Sequence, residues 1–158
     1  MSPPQDVEDP IHELASIDAI RQLTARYNRA SDDGDFEAWL ACFAPHGRFE
    51  RSNDSRAFTG WEELRTLPGR IPVRARHITT DHIITVDGTR ARQTCYLLYL
   101  DRDRHFRVHM FGVYDDVLVL LDGRWVFESR YLLIDENPAA GVAESDNDAA
   151  DDNSKDGR

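Results

Sequence analysis

The order of helical and extended segments predicts an α+β fold in which a curved antiparallel sheet wraps around N-terminal helices. Near the N-terminus, apolar residues recur every three or four positions, as on one face of a helix. The second half of the chain instead consists of long extended segments separated by tight-turn sequences. Because helices come first and hairpin-linked strands follow, an alternating parallel α/β fold is excluded.

Residues 9–34 are predicted to be helical. Asp9-Pro10 provides a cap and a first-turn proline, and Ser16 provides a second cap, which leaves open a short helix before the main one. The apolar stripe consists of Ile17, Ile20, Leu23, Tyr27 and Ala30. Gly34 ends this helix in the left-handed conformation, and Asp35 caps a second helix. The buried face of that second helix is predicted to hold Phe36, Trp39, Leu40 and Phe43, and Ala44-Pro45-His46-Gly47 ends it.

The rest of the domain is predicted to be mostly strands. A short strand at 48–51 and a short helix at 61–67, closed by Pro68-Gly69, precede the sheet. Four long strands then follow at 76–86, 90–100, 105–121 and 124–134. Asp87-Gly88 and Asp122-Gly123 are strong hairpin signals, so these strands form a meander. A strongly curved meander over the helices would bury one face and leave a hollow.

The 158 residues carry a net charge of −10, and half of it lies at the C-terminus. Residues 136–158 hold seven acidic residues against Lys155 and Arg158, with almost no large apolar side chain. Such a segment cannot bury enough surface to offset its chain entropy, so we expect a domain at 1–135 and a disordered acidic tail at 136–158. A negative domain also argues against nucleic-acid binding.

Several classes of site and location are disfavoured by the sequence. Cys42 and Cys95 are too few for a disulfide framework and have no zinc-site spacing, so we expect reduced core residues. No apolar run approaches the ~20 residues that a membrane helix needs, and the N-terminus has no secretory signal pattern. We therefore expect a cytoplasmic protein. Dinucleotide, P-loop, serine-hydrolase and HExxH motifs are missing, which leaves acids, histidines and tyrosines as candidates.

Three segments together resemble a known family. They are 20–27 (IRQLTARY) followed by Asp32-x-Gly34-Asp35-Phe36-x-x-Trp39, then 76–82 (RHITTDH), and finally Tyr114-Asp115-Asp116 with Asp122-Gly123-Arg124-Trp125-x-Phe127. In this order they are similar to the SnoaL-like proteins of the nuclear transport factor 2-like superfamily, over residues 11–134. The resemblance implies a cone-shaped barrel. It does not fix one function, because this fold serves cyclases, dehydratases, isomerases, hydrolases and non-catalytic carriers.

The resemblance also implies an acid–base pair. In scytalone dehydratase and hexachlorocyclohexane dehydrochlorinase an aspartate at the end of the first helix pairs with a histidine early in the sheet, and Asp32 and His77 match those positions. A buried carboxylate holds an imidazole in one tautomer and stabilises the imidazolium, so the imidazole can move a carbon-bound proton near neutral pH. The residues alone leave simpler roles open: Asp32 as a turn or cap residue, and His77 as an ordinary sheet residue.

Other candidates around this pair are less defined. Scytalone dehydratase has a second histidine on the next strand, where this chain has none at 94–96, and His109 is the possible substitute. Tyr27 and Tyr114 are candidate donors to a substrate oxygen, with packing as the alternative for Tyr27. Asp81 replaces a frequent asparagine of the family. A metal site formed by His77, Asp81 and His82 would require a bulge, so no metal is predicted.

We therefore expect a cofactor-independent lyase or isomerase, dehydratase-like or polyketide cyclase-like, acting on a small apolar cyclic or aromatic substrate. Its catalytic residues would be His77, Asp32, Tyr27 and Tyr114. Its pocket would be lined by Trp39, Phe43, Phe49, Phe58, Leu97, His109 and Phe111. The alternative is a non-catalytic binding or assembly module that resembles the β subunit of ring-hydroxylating oxygenases. In either case a homodimer is expected, with 104–121 supplying an apolar sheet face.

Overall fold

The computed structural model describes residues 10–67 and 74–135. In chain order its elements are α1 (Pro10–Asp33), α2 (Phe36–Leu40), β1 (Phe43–Arg51), β2 (Phe58–Thr59), α3 (Gly60–Leu64), β3 (Ala75–Asp87), β4 (Arg90–Asp101), β5 (Arg107–Leu121) and β6 (Arg124–Ile134). Helices followed by a meander confirm the predicted α+β class. The predicted acidic tail at 136–158 and the Pro68-Gly69 stop lie outside the described residues.

The N-terminal segment forms one helix, α1, rather than a short helix followed by a longer one. It ends as predicted: Gly34 has φ 74°, and the Asp35 carboxylate accepts a hydrogen bond from the Ala38 N–H at 3.0 Å. The second helix is shorter than predicted, and Phe43 is the first residue of β1 rather than part of α2. Residues 44–47 also lie within β1, because an irregularity between Phe43 and Arg48 absorbs them in the pairing with β6.

The six strands form one curved sheet in the order β2-β1-β6-β5-β4-β3, and the sheet does not close. From β3 to β6 the pairing is antiparallel, as predicted. At the other end of the sheet, β1 runs parallel to β6. A parallel neighbour needs a long crossover, and here the whole meander separates the two strands in sequence.

Backbone irregularities set the strand boundaries and the direction of side chains. The fifth strand begins at Arg107 rather than at the predicted residue 105, because His105 and Phe106 have φ of 53° and 58°. In β3 the register with β4 shifts between Thr80 and Ile83, and Asp81 has φ 54°. Because of the extra residue in this bulge, alternate side chains of β3 point to the inner face of the sheet both before and after it.

The core lies between α1 and the inner face of the sheet. Its centre is aromatic: the Tyr27 ring lies 5.7 Å from that of Trp39 and 5.9 Å from that of Phe43, and Phe43 lies 5.6 Å from Phe127. These rings join the helical layer to β1 and β6. Among the described residues, no helix has the length and apolar character needed to cross a bilayer.

Candidate active site

A cavity of about 170 Å³ lies between the N-terminal helices and the inner face of the sheet. Its apolar lining consists of Phe36, Trp39, Phe49, Leu67, Leu97, Met110, Leu132 and Ile134. Its polar lining consists of Tyr27, Ser31, Arg51, Asn53, His77, Tyr99, His109 and Tyr114. Apolar walls with several converging polar groups are typical of small-molecule sites.

Asp32 and His77 are hydrogen-bonded at one wall of this cavity. The distance from Asp32 Oδ1 to His77 Nδ1 is 2.6 Å, and the side chains are only 3% and 7% exposed. The backbone N–H of His77 also donates to both carboxylate oxygens, each at 3.1 Å. This N–H is available because β3 is the edge strand of the sheet that residues 10–67 and 74–135 form, and the N–H groups on its outer side bond to no other strand of that sheet.

The hydrogen bond to Asp32 decides which ring nitrogen of His77 is basic. An ionised carboxylate can only accept hydrogen bonds, so Nδ1 carries the hydrogen and Nε2 keeps its lone pair. The backbone of Asp32 is also held in place, because the Arg102 guanidinium donates to its carbonyl oxygen at 3.3 Å. The Arg76 guanidinium lies 3.7 Å from Oδ2, but it is 45% exposed and contributes little.

Tyr99 and His109 extend the row that begins at His77. Tyr99 lies directly opposite His77 in the sheet, and the two rings meet edge to face at 4.7 Å. The ring of His109 is 5.7 Å from that of Tyr99. In β5, Met110 pairs with Tyr99 and Val108 with Leu100, so His109 is the extra residue of a bulge and lines the cavity.

Three cavity phenols are kept in their neutral, hydrogen-donating form. Burial raises the pKa of Tyr99 to about 12, and the nearby Asp32 carboxylate adds to the rise. Burial also raises the pKa of Tyr27 and of Tyr114, although the charge of Arg130 opposes it. A neutral phenol donates a hydrogen bond to an oxygen that becomes negative during a reaction.

A second buried carboxylate, Asp116, supports the floor of the site without lining the cavity. Arg130 donates to both of its oxygens at 2.8 Å, and Gln93 donates to Oδ2 at 2.8 Å. The Arg130 guanidinium lies over the rings of Tyr27 and Tyr114, at 4.3 Å and 3.9 Å from their centroids. Burial disfavours the charge of Arg130, but Asp116 outweighs it and the pKa of Arg130 is raised.

Arg51, at the end of β1, is a cavity residue that sequence reasoning missed. Its Nη2 donates to Asp54 Oδ2 at 3.2 Å, whereas its Nε is buried and has no hydrogen-bond partner among the residues that the structure describes. Strand alternation is the signal that could have found it, because Arg51 lies two positions after the predicted lining residue Phe49, whereas Arg48 lies on the opposite face. The register with β6 places Arg51 beside the cavity residue Leu132.

The predicted lining residues divide into two groups. Trp39, Phe49, Leu97 and His109 line the cavity. Phe43, Phe58 and Phe111 lie outside the cavity lining, contrary to the prediction. Phe43 and Phe58 are 1% exposed and belong to the packed core. Phe111 is 54% exposed, because strand alternation turns it away from its inward neighbour Met110.

The bulge in β3 also settles where Asp81 and His82 lie. Asp81 is exposed, so it adds no second carboxylate to the cavity. His82 turns inward and its Nδ1 lies 3.0 Å from Gln93 Oε1, which ties it to the Asp116 cluster. Within the described ranges no group of three acidic, histidine or cysteine side chains is arranged to hold a metal ion.

The two cysteines are not candidates for nucleophilic chemistry. Both are free and buried. Burial raises the pKa of Cys42 to about 11 and that of Cys95 to about 12, so neither provides a thiolate near neutral pH.

Comparison with known proteins agrees with this architecture. A sequence profile described as a SnoaL-like domain matches residues 12–131. Among solved structures, a variant of Rv3472, a function-unknown protein from Mycobacterium tuberculosis, is 29% identical with a TM-score of 0.75, covering 92% of this chain and 87% of that chain. The comparison with curated proteins gives no match.

Two further structures share the fold at lower identity. A putative scytalone dehydratase from Novosphingobium aromaticivorans is 20% identical with a TM-score of 0.70, covering 81% of this chain and 89% of that chain. ActVI-ORFA from Streptomyces coelicolor is 19% identical with a TM-score of 0.67, covering 77% of this chain and 98% of that chain. At these identities the similarity shows the fold alone.

Proposed function

The chain belongs to the SnoaL-like domain family, and from that premise we propose that it is a cofactor-independent lyase or isomerase of the dehydratase or cyclase kind. The observation that carries the proposal is the 2.6 Å hydrogen bond between Asp32 and His77 at the wall of an apolar cavity. One structural neighbour is described as a putative scytalone dehydratase, and that description is consistent with this class.

In the proposed mechanism, His77 Nε2 removes a proton from a carbon next to a substrate carbonyl. The electrons of the broken C–H bond form a C=C bond, and the carbonyl electrons move to the oxygen to give an enolate. Asp32 stabilises the resulting imidazolium and keeps the ring in place. The neutral phenols of Tyr27 and Tyr114 are the proposed donors to the enolate oxygen.

The enolate then has three outcomes that need no further group. It can expel a leaving group from the β carbon, with the imidazolium returning its proton to that group, which is a dehydration. Where the substrate has a β,γ double bond, the dienolate can take the proton back at the γ carbon, which is an isomerisation. It can attack a second carbonyl of the same substrate, which closes a ring, and the imidazolium then returns its proton to the new alkoxide. All three share the first proton transfer, and the test below addresses that step.

The test measures proton removal directly. One- and two-ring ketones and β-hydroxyketones are incubated in D₂O with the protein, and deuterium incorporation or elimination is followed by NMR. We expect at least one compound to react faster with the wild-type protein than with His77→Ala, by about 10²-fold. His46→Ala is the control, because that imidazole is 66% exposed and lies outside the cavity lining. Equal rates for wild type and His77→Ala across the panel would contradict the proposal.

The outer face of the sheet favours an additional assembly role. Its apolar residues form contiguous rows across the strands, since Ile78 and Phe111 both pair with Leu98, and Tyr96 and Leu133 both pair with Val113. Ile78, Tyr96, Phe111 and Leu133 are between 44% and 57% exposed. We propose that a second copy of the chain covers this face, as a homodimer.

Light scattering coupled to size exclusion tests the homodimer. We expect a dimer for the wild-type protein and a monomer for Phe111→Glu, because the new charge would be buried at the centre of the interface. Thr85→Glu is the control. Thr85 is exposed on the outer face of β3, like Ile83, but it lies near the hairpin that joins β3 to β4. A wild-type monomer, or a dimer that Phe111→Glu leaves intact, would contradict the assembly proposal.

A further inference from the structure

The charge of the cavity is opposite to that of the protein. The chain has a net charge of −10, yet no carboxylate belongs to the cavity lining among the described residues. Arg51 is the one lining residue there with a permanent charge, and two imidazoles, His77 and His109, can add to it. Asp32 stands behind His77 and is only 3% exposed. A negatively charged ligand therefore meets a cation inside the cavity and acidic groups outside it.

Arg51 also has hydrogen-bonding capacity that the protein does not use. A guanidinium has five N–H donors, and the contact with Asp54 Oδ2 at 3.2 Å engages only Nη2. The Nε–H is buried and has no acceptor within the described part of the chain, which costs free energy unless an acceptor arrives. Asp54 is a weak competitor, because the pair is about a quarter exposed and Asp54 Oδ1 already accepts from the Arg56 N–H.

The position of Arg51 relative to His77 defines how a ligand would lie. Arg51 is on β1 and His77 on β3, and three strands separate them in the sheet, yet both line the same cavity. The strands between them contribute apolar lining residues, including Leu97 and Leu132, and also the polar side chains of Tyr99, His109 and Tyr114. The Arg51 charge also acts on the phenol of Tyr99, whose pKa it lowers against the effect of burial. The cation therefore faces the same interior as the acid–base pair.

We propose that Arg51 makes the cavity selective for a ring compound that carries a carboxylate. The carboxylate accepts hydrogen bonds from the guanidinium, including the orphaned Nε–H, and the ring lies on the apolar wall with its reactive carbon toward His77. A cavity of about 150 Å³ accepts one benzene-sized ring, so about 170 Å³ suits one ring with a carboxylate. As a statement about the substrate this rests on the proposed function; as a statement about binding it is tested without it.

The test compares benzoate with benzamide, which have the same shape but differ in charge. Binding to the full chain is measured by NMR titration at about pH 8, where imidazoles are ordinarily neutral and Arg51 is the remaining lining cation. We expect wild type to bind benzoate about tenfold more tightly than benzamide. We expect Arg51→Met to lose that preference while still binding benzamide, and Arg51→Lys to keep part of it, because lysine retains the charge but not the planar fork.

The matched control is Arg48→Met. Arg48 lies on the same strand and pairs with Glu50 at 2.7 Å, but it is 46% exposed and does not line the cavity. We expect it to leave the preference for benzoate unchanged. The proposal is overturned if wild type binds the two compounds equally or binds neither, or if Arg48→Met and Arg51→Met have the same effect. If Arg51→Met does not fold, the proposal is decided by comparing the binding of benzoate and benzamide to the wild-type protein and to Arg51→Lys.

The same titration separates this proposal from the proposed reaction. The two proposals depend on different residues of the wild-type protein, since the preference for benzoate depends on Arg51 and proton removal depends on His77. A protein that selects benzoate but removes no carbon-bound proton would retain the anion site and lose the lyase assignment. A protein that removes the proton but does not select benzoate would retain the reaction and lose the anion site.

Discussion

Two buried carboxylates on the inner side of the sheet have opposite surroundings. Asp32 bonds to His77, whose imidazole lines a cavity. Asp116 is 0% exposed and is enclosed by Arg130 and Gln93. The burial of the two carboxylates is similar, but their partners differ: one partner is an imidazole at a cavity wall, and the other is a guanidinium, which always carries its charge.

The role of each carboxylate therefore depends on its hydrogen-bond partner, and on whether that partner lines a cavity, rather than on burial. An imidazole at a cavity wall can exchange a proton with a ligand, and its carboxylate stabilises the charge that results. A guanidinium that is paired with Asp116 and lies over three aromatic rings cannot, so Asp116 and Arg130 hold the fold and the phenols of the site. The predictions below test this division, from the largest effect to the smallest.

The largest effect is expected on stability, at the closed pair. Arg130→Met leaves Asp116 buried without its counter-charge, so we predict a loss of about 3–5 kcal/mol in the free energy of unfolding. Urea denaturation followed by circular dichroism measures it. Asp116→Asn combined with Arg130→Met should be more stable than Arg130→Met alone, because no unpaired charge remains. A single variant as stable as wild type would show that the pair does not support the fold.

The next effect is expected on reactivity, at the open pair. Asp32→Asn removes the charge that stabilises the imidazolium and permits the other tautomer of His77. We predict that proton removal slows by about 10²-fold, or ~2.7 kcal/mol, with a much smaller loss of stability than for Arg130→Met. Asp33→Asn, at an exposed neighbour, is the control. If both substitutions slow the reaction equally, the hydrogen bond to His77 has no special role.

The smallest effect is expected on the pH dependence of stability. The folded-state pKa of Tyr99 is raised to about 12, above the ordinary value of about 10. Tyr99 therefore stabilises the fold below pH ~10, and this contribution is lost as the pH rises toward ~12. We predict that Tyr99→Phe reduces the alkaline loss of unfolding free energy, with Tyr27 and Tyr114 accounting for the remainder. An unchanged pH dependence in Tyr99→Phe would contradict the assignment.

Sequence patterns predicted features that depend on local chemistry. The end of α1 at Gly34, the cap at Asp35 and the hairpin at Asp122-Gly123 follow from the conformations that these residues favour, and all three are present. The proximity of Asp32 and His77 was implied by a family resemblance, since the two lie 45 positions apart and spacing alone would not join them.

Features that depend on register could not be predicted. Counting back from the Asp87–Arg90 pair without a bulge would put Leu100 opposite His77, and the bulge at 81–82 puts Tyr99 there instead. A second bulge adds His109, an exposed residue, to the cavity lining. The parallel pairing of β1 with β6 joins strands that are distant in sequence and places Arg51 beside the cavity residue Leu132. Bulges and long-range pairings depend on tertiary packing, which local patterns do not encode.

The central claim is that Asp32 holds His77 in the tautomer that presents a basic Nε2 to the cavity. Long-range ¹H–¹⁵N NMR of the histidine side chains tests it most directly, with His77→Ala providing the assignment. The account predicts that the neutral ring carries its hydrogen on Nδ1 with Nε2 unprotonated, and that Asp32→Asn removes this preference. A neutral His77 with its hydrogen on Nε2, unaffected by Asp32→Asn, would contradict the account.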